Sequence, residues 1–450
     1  MRLSRYVIAY RDVRAGEHVL YDVVADRYVG LDDAGLAAVD RWRDAPPAPG
    51  SEGEAAEALA GMGFVVHDDA ADAERLRGAL AGAARGMAGT AYVTLMPTLA
   101  CDLSCSYCIQ KDHETKGHMR PEVEEAALAW IERALEGSGA GRLVVHYIGG
   151  EPLTRKDYVL RTARRLAARC RAQGRTFSWE LTTNGVSLDL PFARALAAVA
   201  PGSIKVTIDG DRETHDEVRV FRDGRGSFDR VFLAMAAVAR ECPEIQVRVG
   251  GNFLAGQERS FERLLDRMVT EGLAGRVESV RFKPVVADGG CGAACGAGGA
   301  DTLVQLGRAT VARGLAPRMP GSIDEVVPCE LHWERSWVID PAGLVYKCLA
   351  VAGRPELAIG DVRGGALRPD PLTARRPWES CGDCPFVPVC LGGCLGGRAA
   401  TGAEPGTVMC QRPAFEARFL EQVTGRYLEE FHPEDAASDV PPPAAIDHAA

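Results

Sequence analysis

From residue 91 onward, short apolar runs rich in β-branched residues alternate with longer segments of helical spacing. The predicted strands cover residues 92–96, 143–147, 177–181, 204–208, 245–249 and 280–282. Helices are predicted between them, from Pro121, from Thr154 to Ala172, near 192–198, after a cap at Ser227 and from Phe261. Six such βα units predict an α/β fold with a parallel sheet curled into a partial (β/α)6 barrel. In such a barrel the chemistry lies where loops leave the carboxyl ends of the strands.

The first 67 residues follow another pattern, in which strands come before helices. The predicted strands cover residues 6–10, 19–24 and 28–31, and a last short strand covers 64–66. Asp32 or Asp33 caps a predicted helix that reaches Trp42, and a second helix runs from Glu52 to Gly61. These residues are therefore expected to form a small unit of their own.

Composition and charge narrow the class of protein. The 450 residues include 46% hydrophobic and 25% charged residues, which is typical of a soluble globular protein of two or three domains. A net charge of −10 argues against nucleic acid or an anionic membrane as partner. The chain shows neither a signal peptide nor a long apolar run, so a cytoplasmic location is expected.

Fourteen cysteines in a chain with no export signal should be reduced thiols rather than disulfides. Ten of them fall in two groups, within 101–108 and 329–410, and such clustering is typical of metal binding. Cys170 and Cys242 lie in or beside helical patterns and are expected to be buried core thiols.

The first group, Cys101, Cys105 and Cys108, offers three thiolates within eight residues. Three thiolates can ligate three irons of a [4Fe–4S] cube and leave the fourth iron open, as an open position marks a catalytic metal. The alternative is a zinc site or a set of buried thiols. Zinc prefers two pairs of ligands in a closed tetrahedral shell, which a lone triplet does not supply.

The spacing C-x3-C-x2-C, with Tyr107 before the last cysteine, resembles the radical S-adenosylmethionine (SAM) superfamily. The resemblance implies that the open iron chelates the methionine moiety of SAM. One electron then cleaves SAM to a 5'-deoxyadenosyl radical, which abstracts hydrogen from a substrate.

The same resemblance implies SAM contacts at the ends of the barrel strands. Gly149, Gly150 and Glu151 match the family's GGEP motif, where backbone groups bind the SAM amino group. The other implied contacts are Thr183, Asn184, Thr207, Asp209, Arg219 and, near the adenine, Tyr107, with Asn252 as a further candidate. Arg219 ends the pattern D-G-x4-H-D-x2-R, and it either pairs with the methionine carboxylate or forms a surface salt bridge.

The second group resembles the SPASM extension of peptide-modifying radical SAM enzymes. The resemblance implies two auxiliary [4Fe–4S] clusters, three clusters in all. One would be bound by Cys381, Cys384, Cys390 and Cys410, and the other by Cys329, Cys348 and Cys394. The second set lacks a fourth cysteine, so one iron is open to a substrate thiolate, or Cys291 or Cys295 fills it from the glycine-rich loop 287–300. Asp340 is expected to belong to a β-turn before a strand, and it is not assigned as a base.

The strand and helix order of the N-terminal unit resembles a PqqD-like precursor-recognition domain. Such winged-helix domains bind a leader peptide as an added strand on a sheet edge. The alternative is an N-terminal extension with a purely structural role. The expected domains are 1–85 for recognition, 90–315 for the barrel, 316–432 for the SPASM extension and 433–450 for a disordered tail.

Together these features predict an enzyme that modifies a ribosomally synthesised precursor peptide, forming a thioether or carbon–carbon cross-link. Its cofactors would be SAM and three [4Fe–4S] clusters, and its partners a leader-bearing peptide and a reductant such as flavodoxin or ferredoxin. One rival is an anaerobic sulfatase maturase, which forms formylglycine. Another is a non-catalytic iron–sulfur scaffold that binds peptide. The sequence identifies no general base.

Overall fold

The computed structural model describes residues 2–44, 54–84, 89–108, 110, 117–285, 297–316, 329–434 and 445–447. The N-terminal elements appear in the predicted order. They are β1 (Arg2–Leu3), β2 (Val7–Arg14), β3 (Glu17–Asp22), β4 (Arg27–Asp32), α1 (Asp33–Asp44), α2 (Glu54–Gly61), β5 (Val65–Val66) and α3 (Asp69–Ala84). Asp32 caps α1 by accepting a 2.8 Å bond from the Gly35 amide. Helix α3 was not predicted.

The predicted barrel units are all present. The strands are β6 (Thr90–Leu95), β7 (Arg142–Tyr147), β8 (Thr176–Thr183), β9 (Gly202–Thr207), β10 (Ile245–Phe253) and β11 (Ser279–Pro284). The helices are α4 (Pro121–Ser138), α5 (Lys156–Ala172), α6 (Leu190–Ala197), α7 (Arg212–Val218), α8 (Phe228–Glu241), α9 (Glu258–Thr270) and α10 (Ala297–Ala312). Each strand pairs in parallel with its neighbour in chain order, which confirms the predicted α/β partial barrel.

The C-terminal region extends this sheet. Its elements are β12 (Ser336–Ile339), β13 (Leu344–Tyr346), β14 (Gly360–Asp361), α11 (Val387–Cys390), α12 (Leu395–Ala400), α13 (Arg412–Phe431) and β15 (Ala445–Asp447). Strand β12 pairs in parallel with β6, and β13 and β14 follow in antiparallel register. The chain after residue 329 is thereby attached directly to the first barrel strand.

The N-terminal sheet has the order β15-β2-β3-β4 and packs against the C-terminal region. Tyr10 and Tyr21 share a buried apolar cluster with Phe386, Phe415 and Phe419. On the same side, Arg5 forms a 3.0 Å ion pair with Asp383, beside Cys384. The first and last parts of the chain therefore share one core.

Three details differ from expectation. Ser227 precedes α8, but its side chain makes no cap bond; its hydroxyl instead donates to the Arg219 carbonyl at 2.7 Å. Residues 297–300, expected in a flexible loop, begin α10, and residues 445–447 of the expected disordered tail pair with β2. Within the described residues, no helix is long and apolar enough to cross a membrane.

Candidate active site

The loop that carries the first three cysteines follows β6 and packs tightly against the Gly149-Gly150 turn. The Gly150 amide donates to the Thr98 carbonyl, and the Glu151 amide to the Ala100 carbonyl, each at 2.9 Å. A Cβ atom on Gly149 would lie 2.3 Å from the Thr98 oxygen, and one on Gly150 would lie 2.2 Å from the Ala100 oxygen. Glycine is required here because two backbone segments approach more closely than any side chain allows.

The thiols of Cys101, Cys105 and Cys108 are partly buried on this loop. The Leu103 amide donates to Cys101 Sγ at 3.4 Å, and Asn184 Nδ2 donates to it at 3.6 Å. Burial raises the pKa of Cys101 to about 12, so the isolated thiol is protonated at neutral pH. Metal coordination deprotonates such a thiol outright. Donors already directed at the sulfur suit a ligated thiolate.

Glu151 is fully buried and ties two strand ends together. Its carboxylate accepts bonds from the Leu153 amide at 2.8 Å and from the Thr183 hydroxyl and Asn184 amide at 2.7 Å each. Burial raises its pKa to about 7, against the effect of these three donors. Glu151 therefore positions Thr183 and Asn184, and Asn184 in turn reaches Asp102 on the cysteine loop at 2.6 Å.

Tyr107, Asp209, Arg219 and Asn252 meet in one buried network. The Tyr107 hydroxyl donates to Asp209 Oδ2 and accepts from Arg219 Nη1 at 2.7 Å and from Asn252 Nδ2 at 3.1 Å. Arg219 Nη1 lies 3.6 Å from Asp209 Oδ2, and only 9% of the arginine side chain is exposed. Of the two alternatives for Arg219, the surface salt bridge is not observed, because the guanidinium forms a buried ion pair; the contact with SAM stays a prediction.

One atom of this network has no partner. Arg219 Nε is buried and makes no hydrogen bond within the described part of the chain. An unpaired buried donor costs free energy unless a ligand satisfies it. The charge of Arg219 also lowers the pKa of the neighbouring Cys105 thiol, although burial raises it more strongly. The site therefore offers an unsatisfied cationic donor beside the cysteine loop, which suits a ligand that bears a carboxylate.

His215 supports the network from behind. Its Nδ1 accepts the Asp209 amide hydrogen at 3.2 Å, and its Nε2 lies 3.0 Å from the Ser227 hydroxyl. Burial, followed by the charge of Arg219, lowers the pKa of His215 to about 3, so the ring is neutral at physiological pH. His215 is a scaffold residue for the Asp209 turn. Thr207 ends β9 on the concave side of the sheet, where Gly250 is its partner on β10.

The later cysteines form two sets in space. Cys348 interacts electrostatically with Cys394 and Cys329, and burial raises the pKa of Cys329 to about 12. Cys381 interacts in the same way with Cys384 and Cys410, and Cys390 with Cys384 and Cys381. These interactions group the cysteines as the SPASM resemblance implies, and their ligation of two clusters stays a prediction. Cys291 and Cys295 lie outside the described residues.

A close contact also fixes Cys348. A Cβ atom on Gly396, in α12, would lie 2.2 Å from Cys348 Sγ, so only glycine leaves room for this thiol.

Asp340 belongs to the predicted turn: its side chain accepts the Ala342 and Leu344 amide hydrogens at 2.9 Å each. Among the described residues, no three His, Cys, Asp or Glu side chains converge on a single metal ion. Ligands of a cube attach to separate irons and so need not converge in this way.

The concave face of the barrel carries polar residues that sequence reasoning missed. Tyr92 donates to Glu180 at 2.8 Å, and His146 Nε2 lies 2.9 Å from the Thr182 hydroxyl. Lys205 and Arg248 are cross-strand neighbours on the same face. The residues that alternate with these along the strands, such as Val145 and Leu181, point to the opposite face and belong to the core that packs against the helices. The alternation of polar and apolar residues along β8 and β9 is the signal that would have located this face.

Comparison with known proteins fits this geometry. Residues 95–266 match the family model described as the radical SAM superfamily. This chain contains a radical SAM domain. The family implies SAM and a [4Fe–4S] cluster as cofactors, and the triplet on the loop after β6, with Arg219 Nε beside it, fits such a pair.

Among curated proteins, the Fe-coproporphyrin III synthase of Methanosarcina barkeri is 29% identical over 178 residues, which are 39% of this chain and 40% of that protein. The chain therefore aligns with less than half of that relative. Among solved structures, anSMEcpe with bound AdoMet and the Cp18Cys peptide has a TM-score of 0.58 at 17% identity, covering 75% of this chain and 99% of that one. SuiB of Streptococcus suis bound to S-adenosylmethionine has a TM-score of 0.50 at 14% identity, covering 92% of this chain and 99% of that one. At these identities the two structures establish a common fold.

Proposed function

We propose that this protein is a radical SAM enzyme of the SPASM type that forms a thioether or carbon–carbon cross-link in a ribosomally made precursor peptide. The observation that carries this proposal is the pairing of the SAM-domain triplet with two further cysteine sets in the C-terminal region. The anSMEcpe fold, described with a bound Cp18Cys peptide, supports a peptide as substrate.

Cys101, Cys105 and Cys108 would hold the SAM cluster, and Arg219 Nε would donate to the bound SAM. When bound, the two cofactors supply a 5'-deoxyadenosyl radical that abstracts hydrogen from the peptide. The chain's own residues fix the site around them. Glu151 orients Asn184, while Asp209 holds Tyr107 and Arg219 in place. Fixed donors of this kind position reactants without reorganisation during the reaction.

The auxiliary sites would be Cys381, Cys384, Cys390 and Cys410 for one cluster and Cys329, Cys348 and Cys394 for the other. The second set adjoins the barrel interior, because Trp333, four residues after Cys329, packs against Tyr92 with ring centroids 5.6 Å apart. Three cysteines leave one iron for a further ligand. A substrate cysteine is a suitable ligand, since coordination deprotonates the thiol before sulfur is joined to carbon.

The N-terminal sheet would recognise the leader of the precursor. In the described sheet order β15-β2-β3-β4, strand β4 is an edge, and edge strands accept an extended peptide through main-chain hydrogen bonds. The opposite edge, on β2, is covered by β15. A leader bound along β4 would lie beside α13, since Tyr28 on β4 bonds to Glu430.

The test is anaerobic incubation of the reconstituted enzyme with SAM, dithionite and a synthetic peptide encoded by a small open reading frame beside the gene. The expected product has lost a pair of hydrogen atoms, and fragmentation locates the cross-link. An aldehyde in place of a cross-link would favour formylglycine formation. A peptide returned unchanged while 5'-deoxyadenosine accumulates only at the uncoupled rate would contradict the peptide assignment.

Leader recognition has a separate test by hydrogen–deuterium exchange. Addition of the leader peptide should slow exchange of amides in Arg27–Asp32, because an added strand protects edge amides. The amides of β3 serve as the internal control, since they are already paired on both sides. Protection confined to other parts of the chain would refute the role of β4.

A further inference from the structure

Lys205 is a half-buried cation on the concave face of the barrel. It lies in the middle of β9, between Thr182 on β8 and Arg248 on β10. Within the described residues its ammonium group has no hydrogen-bonded or ion-paired partner. Most buried charges in proteins are paired, so an unpaired, half-buried lysine on this face indicates a ligand of opposite charge.

The absence of a side chain at Gly250 leaves the space that the Lys205 side chain occupies. A Cβ atom on Gly250 would lie 2.5 Å from Lys205 Cε and 3.4 Å from Nζ. Gly250 is the β10 partner of Thr207, which lies beyond Lys205 towards the carboxyl end of β9. The lysine side chain therefore runs over the glycine towards the end of the barrel that holds Asp209 and the cysteine loop.

The charges around Lys205 are mostly positive. Burial, followed by the charges of Lys283, Arg281 and Arg248, lowers the pKa of Lys205 to about 8, and Glu330 opposes the shift. Of these cations Arg248 is already bonded to Glu278 at 2.6 Å. Glu180, a carboxylate on the same face, accepts a hydrogen bond from Tyr92 and lies 3.9 Å from Arg248 Nη1. The cleft thus has an excess of positive charge in a protein whose net charge is −10.

We propose that Lys205 binds a carboxylate of the peptide substrate and so selects segments that contain Asp or Glu near the residue to be modified. This inference rests on the proposed peptide substrate and adds its chemical class. The expected separation follows from the rise of an extended chain: Asp209 is four residues beyond Lys205, or about 13 Å. An extended peptide spans that distance in about four residues. The acidic residue should therefore lie within about four residues of the modified one.

The experiment uses as its probe a pool of peptides in which the leader encoded by the small open reading frame beside the gene precedes a 20-residue segment randomised at every position. The reconstituted holoenzyme, immobilised with SAM, retains a fraction of the pool, and mass spectrometry gives its Asp and Glu content. The wild-type protein and Lys205→Arg should retain acidic peptides about tenfold more than Lys205→Gln does, because a charged hydrogen bond is lost. Lys156→Gln is the matched control, since Lys156 lies outside the barrel and pairs with Asp189.

Each other outcome has a definite meaning. Equal acid content in the peptides retained by wild type and Lys205→Gln would overturn the role of Lys205 and leave the peptide substrate intact. Loss of SAM affinity in Lys205→Gln with unchanged peptide composition would assign Lys205 to the SAM carboxylate and also overturn the proposal. Retention of no peptide by the wild type would overturn both the proposal and the peptide function. If Lys205→Gln loses iron or melts early, Lys205→Met replaces it.

Discussion

Replacing Gly150 with Ala tests whether the glycine turn shapes the cysteine loop. The added Cβ would lie 2.2 Å from the Ala100 oxygen and 2.5 Å from the Leu99 oxygen. An ordinary carbon–oxygen contact is about 3.3 Å, so the loop must move by about 1 Å. Overpacking of this kind costs about 1–3 kcal/mol, and each lengthened backbone hydrogen bond adds about 1 kcal/mol.

Together these costs destabilise the loop conformation that binds the cluster by about 3 kcal/mol, which lowers the population of that conformation roughly 100-fold. We expect Gly150→Ala to lose about four irons and to cleave SAM roughly 100-fold more slowly, measured as iron content and 5'-deoxyadenosine release. Gly137→Ala is the control, because a Cβ there meets nothing within 4 Å. Full iron content with weakened SAM binding would show instead that Gly150 acts through the cofactor. Behaviour equal to the control would refute the packing argument.

Three further substitutions test other parts of the account. Gly396→Ala should displace Cys348 and remove about four irons while the SAM-domain cluster survives. Iron analysis and uncoupled SAM cleavage measure these two effects, and an unchanged iron content would contradict the prediction. Asp209→Asn leaves Arg219 buried without its counter-charge, so thermal stability and SAM affinity should both fall. A variant with the stability and SAM affinity of wild type would refute the role of the Asp209–Arg219 ion pair. Phe419→Ala should cost about 3–5 kcal/mol in thermal unfolding, because its ring fills the core shared with the N-terminal sheet; a loss below about 1 kcal/mol would contradict that sharing.

The barrel strands and their order could be predicted from sequence because each has a local signature. Apolar runs such as 143–147 are bounded by turn residues, and the observed β7 differs by one residue. The clustering of the later cysteines is visible in the sequence, but their division into two ligand sets is implied by the SPASM resemblance and stays a prediction. What the pattern alone could not supply was the role of Gly149 and Gly150, whose tight contact with residues 98–100 joins segments about 50 residues apart.

Other features depend on contacts between distant residues. Lys205 and Arg248 look like exposed strand residues in sequence, and only the strand pairing places them side by side on one face of the sheet. The core that joins Tyr21 to Phe419 brings together residues about 400 apart, which no local pattern reveals. Because of this shared core, a deletion of the N-terminal unit would disturb more than leader recognition. Removing residues 1–67 would expose Phe415 and Phe419, so single substitutions are the better probe of leader recognition.

The central claim is that the triplet after β6 holds the cluster that cleaves SAM. The most direct measurement is 5'-deoxyadenosine release by a variant with Cys101, Cys105 and Cys108 all changed to Ala, together with its iron content. Cys170→Ala is the control, because that thiol is buried in the barrel core away from both cysteine groups. We expect the triple variant to cleave no SAM, to lose about four irons and to retain the auxiliary iron, and we expect the control to behave like wild type. SAM cleavage at the wild-type rate by the triple variant would contradict it.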